Sequence, residues 1–569
     1  MKMSRIMSMF SRIATACTVT KSIVRGWPLV SRRFPQNRPF GPWFLSIFAA
    51  SVLSQLSVVS SHGKDAASVQ IAPHSCGEVI PFVESWDEMA RRGSSKLAEQ
   101  STALRIEEAP LRIPEGPDRT AAEKDAPPHA APAGLEPVTE APQAVGTSFI
   151  GIALQDQFSA FGGGSIPPDT MGAVGPDHFV EVINSSVAVY NRIGTRLSHV
   201  SLDSFFTASI GGTTYPRNGS FDPRVLFDRR SGRWFAITLE RGSTSGTYNH
   251  VILAVSASSD PTGSWYKYLV EVGVPSGTYT YFTDYDTLGT DDNGVYVAVR
   301  IFPSTGGGSS YAKIAAMQKT PLLSGTASTV YSWTSITDMY STPQPVHNLD
   351  AVAAGDRAWF VASSSSVYAN LNYRRLIWSG GVPSLDDSAS AMTTPDFSAV
   401  LNAPALGSGV AINNGDMRLQ MATIRNNRLW TCRNVGLNSS GGASGADRTG
   451  CEWLELNVSG STATLVQSGR VYDSAASDPR YYYYPSIMVS GQGHAAMGFS
   501  GSKSTEYVGA YFTGRLSGDA SGTMGSIALV KAGEASYQWT DGSGRNRWGD
   551  YSYTSLDPND DMSLWTIQE

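Results

Sequence analysis

Asp286-Thr287-Leu288-Gly289, then Asp291-Asp292-Asn293-Gly294, then Val295-Tyr296-Val297-Ala298-Val299. A polar residue opens a short apolar run, a turn cluster breaks it, and a strand of β-branched and aromatic residues follows. The same frame returns upstream as Asp222-Pro223-Arg224-Val225-Leu226-Phe227-Asp228, Ser231-Gly232 and Trp234-Phe235-Ala236-Ile237. It returns downstream as Asp350-Ala351-Val352-Ala353, Gly355-Asp356 and Ala358-Trp359-Phe360-Val361. Asp169, Gln420, Ser486 and Asp550 open four further units, and the seven openings stand 53 to 70 residues apart. A recurrence of this kind marks a repeat architecture. Two more strand-like runs follow within most units, as in His250-Val251-Ile252-Leu253-Ala254-Val255 and Trp265-Tyr266-Lys267-Tyr268. Four strands per unit, short turns and almost no helix predict an all-β, six- or seven-bladed β-propeller with four-stranded antiparallel blades. A β-sandwich array is the alternative, but its repeats run nearer ~100 residues. The last unit stops after two strands. Ser148–Leu154 is therefore expected to pair with it and close the ring.

Composition agrees. Charged residues make up only 16% of the 569, against 56 Gly and 24 Tyr, which suits short strands and turns rather than long helices. Three regions follow. Residues 1–63 carry eight Lys/Arg and no acid, with an apolar run at Trp43–Leu53 and small residues at Ser57–Ser61. They form a signal or targeting segment, and Ser31-Arg32-Arg33 faintly suggests a twin-arginine signal. Ser51, Ser54, Gln55 and Ser57 interrupt the run too often for a spanning helix, and no later segment is apolar enough to be one. Residues 64–147 are expected to be a pro-region or Pro/Ala-rich linker, largely disordered. Its weak helical pattern lies within Glu78–Leu97, and its Pro-rich part includes Ala126–Pro132. Residues 148–569 are the propeller.

Export makes disulfides feasible. Cys432 and Cys451 flank a Gly/Ser-rich loop between two strand-like runs and are expected to pair; Cys76 stands apart from them. Beyond the leader the chain carries a formal charge of −14. Such a body repels phosphate backbones, so nucleic acid is excluded as a partner. A monomer that is secreted or held at the cell surface is expected.

Ser258-Ser259-Asp260-Pro261-Thr262-Gly263-Ser264-Trp265 resembles the Asp-box of sialidase-like propellers, with the Gly shifted by one, and Asp228-Arg229-Arg230-Ser231-Gly232-Arg233-Trp234 is a looser relative. Arg547-Trp548-Gly549-Asp550-Tyr551-Ser552 is similar to segments of secreted bacterial propellers of unassigned activity. The resemblance spans 148–569 in architecture. It implies that the Asp-boxes are structural turns away from the active centre.

Several solutions to catalysis are absent: there is no Gly-x-Ser-x-Gly, no His-Glu-x-x-His and no phosphate-loop motif. The eight histidines show no metal-ligand spacing. A propeller instead gathers the openings of its inner strands at one rim. Asp222, Tyr285, Asp286 and Asp550 are the catalytic candidates, and Arg224, His347, Arg418, Tyr484, Arg547 and Tyr551 the ligand-binding candidates. Carboxylic acids can protonate a leaving oxygen, a carboxylate or Tyr can attack or activate water, and Arg can clamp a sugar carboxylate. The recurrent Asp can equally serve as a turn acceptor. Two functions stay open: a propeller that binds extracellular polysaccharide or glycoconjugate, and a glycoside hydrolase or polysaccharide lyase acting at the same rim. No cofactor is required, although a ring of acids could hold calcium.

Overall fold

Strand pairs joined by tight turns stack into sheets because each hairpin leaves one edge for the next strand. In the computed structural model the described residues are 69–96, 104–106, 145–241, 250–273, 281–303, 309–339, 342–364 and 368–569. The leader 1–63 and the Pro-rich stretch 126–132 lie outside them. Six antiparallel sheets follow in chain order. The inner strands are Met171–Val174, Ser220–Asp228, Tyr281–Thr290, Gln344–Pro345, Leu419–Arg425 and Tyr481–Val489. Each of the first five packs beside the inner strand of the next blade, and Tyr553–Leu556 bridges the sixth to the first, so the protein is a six-bladed β-propeller. Because blades stack face to face, both faces of a strand can be apolar. Phe235, Ile237 and Leu239 are fully inaccessible, as is Ala236 on the opposite face. Each of the three large side chains stabilises the fold by about 1.5–3 kcal/mol.

The ring closes differently from expectation. The C-terminal hairpin, Tyr553–Leu556 with Leu564–Ile567, inserts between the sixth and first blades. Ser148–Leu154 adds no strand to it. Phe149 instead lies edge-on to Phe179 and beside Tyr190, and the Ile152 N–H donates to Glu181 at 3.0 Å. Leu154–Phe161 then turns helical. Side-chain packing, rather than a β-ladder, covers this end.

The expectation of a disordered 64–147 fails for its first part. Gln70–Ile71 pairs with the outer strand of the fourth blade, Ser75–Val79 with that of the third, and Phe82–Ser85 with that of the second. This strap runs around the ring against chain order and caps three edges. A helix follows at Trp86–Lys96, so the helical pattern begins later than expected. Ser85 and Glu88 form its capping box, with Ser85 N–H donating to Glu88 Oε2 at 2.9 Å and Glu88 N–H to Ser85 Oγ at 3.4 Å. Trp86 and Met89 are buried, and Trp86 packs on Phe205. Lys267, itself buried, holds the strap through Glu84 at 2.7 Å.

The expected Cys432–Cys451 disulfide is also corrected: both are free, buried thiols. They lie on adjacent strands, but Cys432 pairs with Trp453 and Cys451 with Asn434. Such diagonal neighbours stand about 7–8 Å apart, whereas a disulfide needs Cβ atoms at about 3.5–4.5 Å. The Cys432 thiol donates instead to the Pro485 carbonyl at 3.3 Å.

Candidate functional site: an acid, arginine and tyrosine cluster in the channel mouth

A β-bulge interrupts the inner strand at a like phase in four blades, between Phe221 and Arg224, Asp284 and Thr287, Leu419 and Met421, and Tyr483 and Ser486. In three of them the first bulged residue is left-handed: Asp222 (φ 52°), Tyr285 (φ 50°) and Tyr484 (φ 52°). Asp169, just before the first blade, matches them at φ 47°. A side chain in this region costs roughly 1–2 kcal/mol, and a bulge re-aims what the strand carries. Asparagines hold two of the bulges from the preceding blade. Asn184 Oδ1 accepts from Asp222 N–H, and Asn434 Oδ1 from Tyr484 N–H, both at 2.9 Å. The Asn184 amide also donates to Asp169 Oδ2 at 2.8 Å. The bulge shifts the repeat by one residue: Asp222 corresponds to Tyr285 and Tyr484, not to Asp286 and Ser486.

The bulges bring most of the candidates together. Arg418, Tyr285, Arg224 and Tyr551 form an alternating stack. The Arg418 guanidinium carbon lies 3.9 Å from the Tyr285 ring centre, and that of Arg224 lies 5.2 Å from Tyr285 and 3.9 Å from Tyr551. Stacking leaves guanidinium edges available for planar anions or hydroxyls. Arg418 grips Asp416 at 2.9 and 2.8 Å, and Arg547 grips Asp550 with two contacts of 2.9 Å. The Tyr484 hydroxyl donates to the Asn413 carbonyl at 2.9 Å. Both oxygens of Asp286, and Nε and Nη2 of Arg224, have no hydrogen-bond partner. An uncompensated buried polar group is costly, so this pair is the feature that structural need explains least.

Electrostatics divides the carboxyls. Burial, with Asp284 charge adding to it and Arg224 opposing, pushes Asp286 up to about 8. Burial and the charges of Asp284, Asp169, Asp286 and Asp550 raise Asp222 well above the usual range, and burial and Asp550 raise Asp284. Burial acts the same way on Asp550, yet Arg547 and Arg418 outweigh it and hold that carboxyl near 2. At neutral pH one mouth therefore carries a protonated carboxylic acid and a firmly ionised carboxylate.

Two openings lie elsewhere. His347 sits deeper, beside a cavity of about 20 Å³ that Arg224, Gln344 and Gln420 also line. That space suits about one water molecule. Burial lowers His347 to about 4, and the nearest charges acting on it are Asp228 and Lys319 rather than the acid cluster. Asp350 opens no inner strand. Its carboxylate receives Arg425 at 3.0 Å and the Asn427 N–H at 2.8 Å in a loop between blades. The fourth blade's inner strand is Gln344–Pro345, six residues upstream. The Ser258–Trp265 segment is the turn between the outer two strands of the second blade. Asp260 accepts from Thr262 N–H at 2.9 Å and buried Trp265 donates to Pro261 O at 2.9 Å.

Asp284, Asp416 and Glu569 join the cluster unannounced by the repeat. Glu569 accepts from Thr170 N–H at 3.2 Å, and a Cβ on Gly549 would meet its carboxylate at 2.4 Å. A side chain at position 549 would displace that carboxylate. Asp284 had one signal, the alternation Asp284-Tyr285-Asp286. Among the described residues no group of three or more His, Cys, Asp or Glu side chains is arranged to hold a metal ion.

No family model and no curated protein matches the chain. Among solved structures, it is similar to a hypothetical selenium-binding protein from Sulfolobus tokodaii (9% identity, 66% of this chain and 80% of that one, TM-score 0.35). It is also similar to an α-L-arabinanase from Penicillium chrysogenum complexed with arabinobiose (12%, 64% and 94%, TM-score 0.33). A third is an exo-β-1,3-galactanase from Clostridium thermocellum (11%, 64% and 77%, TM-score 0.25). Likenesses this distant carry nothing about ligand or reaction.

Proposed function

We propose that this protein is a secreted or surface-held propeller that binds extracellular glycan at its channel mouth. The observation that carries the reading is a cluster of carboxyls, Asp286 unpartnered and Asp550 held by Arg547, beside arginines stacked on tyrosines. A sugar offers hydroxyls that both donate and accept, and a uronic or sialic acid adds a carboxylate. Ionised Asp550 accepts, and Arg224 presents guanidinium N–H groups that no protein acceptor engages. Asp550 and Asp284 are the more accessible acids, with Asp222 and Asp286 behind them.

The split in protonation between Asp286 and Asp550 favours one second reading, glycoside hydrolysis. Asp286 or Asp222 would protonate the glycosidic oxygen while Asp550 attacks the anomeric carbon or activates water. The reading in which the molecule is exported and acts as a monomer belongs to the same proposal. Among the described residues no helix is long and apolar enough to cross a membrane.

The test is a panel of polysaccharides offered to the full chain, scored for retention and for reducing-end release. Asp550→Asn should weaken retention at least about tenfold. If the protein is a hydrolase, it should also cut release by about 10²–10⁴-fold. Unchanged retention and release in a folded Asp550→Asn protein would overturn both readings.

A further inference from the structure

A second concavity opens on the sixth blade, lined by Tyr482 of its inner strand, by Glu506, Tyr507 and Tyr511 of its third strand and by Leu529 of its edge strand. It measures about 570 Å³, within the range of about 300–1,000 Å³ typical of small-ligand sites. Its floor is aromatic and rigid. Tyr482 meets Phe499 edge-on at 5.0 Å and Tyr511 at 5.6 Å, so these rings continue into the core. One wall is polar: Arg480 grips Glu506 with contacts of 2.6–2.9 Å and covers the Tyr511 ring at 5.3 Å. The opposite lip is apolar and open, with Leu529 52% and Leu406 38% exposed. Tyr507, half-buried, also lines the cleft. Gly533 brings the chain hard against this wall, since a Cβ there would stand 2.2 Å from the Val508 carbonyl oxygen.

We propose that this cleft is a separate carbohydrate-binding site, taking one or two sugar units of a glycan. A pyranose has an apolar face and a girdle of hydroxyls. Exposed Leu529 and Leu406 with half-buried Tyr507 in the lining match the first, and the Arg480–Glu506 pair, which offers both donors and acceptors, matches the second. Strand addition by a peptide fits less well. The neighbouring edge strand, Ala528–Lys531, is only four residues long and ends in a lysine paired with Glu534 at 2.5 Å. Such short, charged edges resist pairing.

This inference does not rest on the channel reading, and the experiment separates them. The full chain is titrated calorimetrically with cellotetraose and with tetragalacturonate, as neutral and anionic probes. At least one should bind. With Asp550→Asn as the common background, so that the cleft is read apart from the channel mouth, Tyr507→Ala and Leu529→Glu should each weaken that binding tenfold or more. If neither tetrasaccharide binds, or if both cleft variants bind like the parent protein, the proposal fails.

Discussion

Tyr482 and Tyr484 sit two residues apart on one strand, yet they serve two unlike regions. Tyr482 floors the open cleft, while Tyr484 enters the channel mouth, where almost every polar side chain is buried. In a regular strand residues two apart face the same way. The bulge between Tyr483 and Ser486, with Tyr484 left-handed, breaks that rule. At the cleft, charge is paired and near water, and it tolerates change. At the mouth, charge is enclosed, and each member depends on the others.

That contrast predicts a ranking of effects. Arg224→Ala should be the most damaging, because it removes the buried guanidinium that fills the space between Tyr285 and Tyr551 and leaves a cavity there. A loss of about 2–5 kcal/mol by urea unfolding is expected, whereas Tyr507→Ala at the cleft should cost far less. A small loss for Arg224→Ala would erase the distinction between the regions. Asn184→Ala comes next. It strips acceptor and donor from Asp222 N–H and Asp169, and it should cost about 1–3 kcal/mol, with Asn434→Ala behaving alike in the sixth blade.

The pH dependence ranks third. Asp286 lies near 8 when folded against an ordinary value of 3.8, so the native state binds this proton more tightly than the unfolded chain does. Its contribution is fully present below about pH 4 and is lost as pH rises through about 8. Asp286→Asn should therefore flatten the stability profile between those limits. A variant whose alkaline decline matches the parent would place the titrating group elsewhere. The smallest effect belongs to the strap: Ser85→Ala should cost about 1 kcal/mol through the lost helix cap, read as faster amide exchange confined to residues 82–96.

Much of this was legible in sequence. The recurring openings and turn clusters gave the blades, because local hairpin chemistry repeats wherever the fold does. The bulge phase was hidden, since one extra residue leaves composition unchanged while moving Tyr285 into the place expected of Asp286. The strap was hidden for a different reason. Ser75-Cys76-Gly77-Glu78-Val79 has no strand pattern of its own and is extended because the third blade's edge templates it. The Cys432–Cys451 expectation failed on a two-residue register that loop length does not specify. Asp350 misled because a capped interblade loop and an inner strand can open on the same residue type.

Carbon-13 NMR of the aspartate side-chain carboxyls, followed across pH 2 to 10 in the full chain with Asp286→Asn and Asp550→Asn used for assignment, bears on all of this at once. One carboxyl should remain protonated past pH 7 and vanish with Asp286→Asn, while another should stay ionised down to about pH 2–3 and vanish with Asp550→Asn. If both instead titrate together near pH 4, the mouth holds no separated acid and base, and the functional reading built on them is wrong.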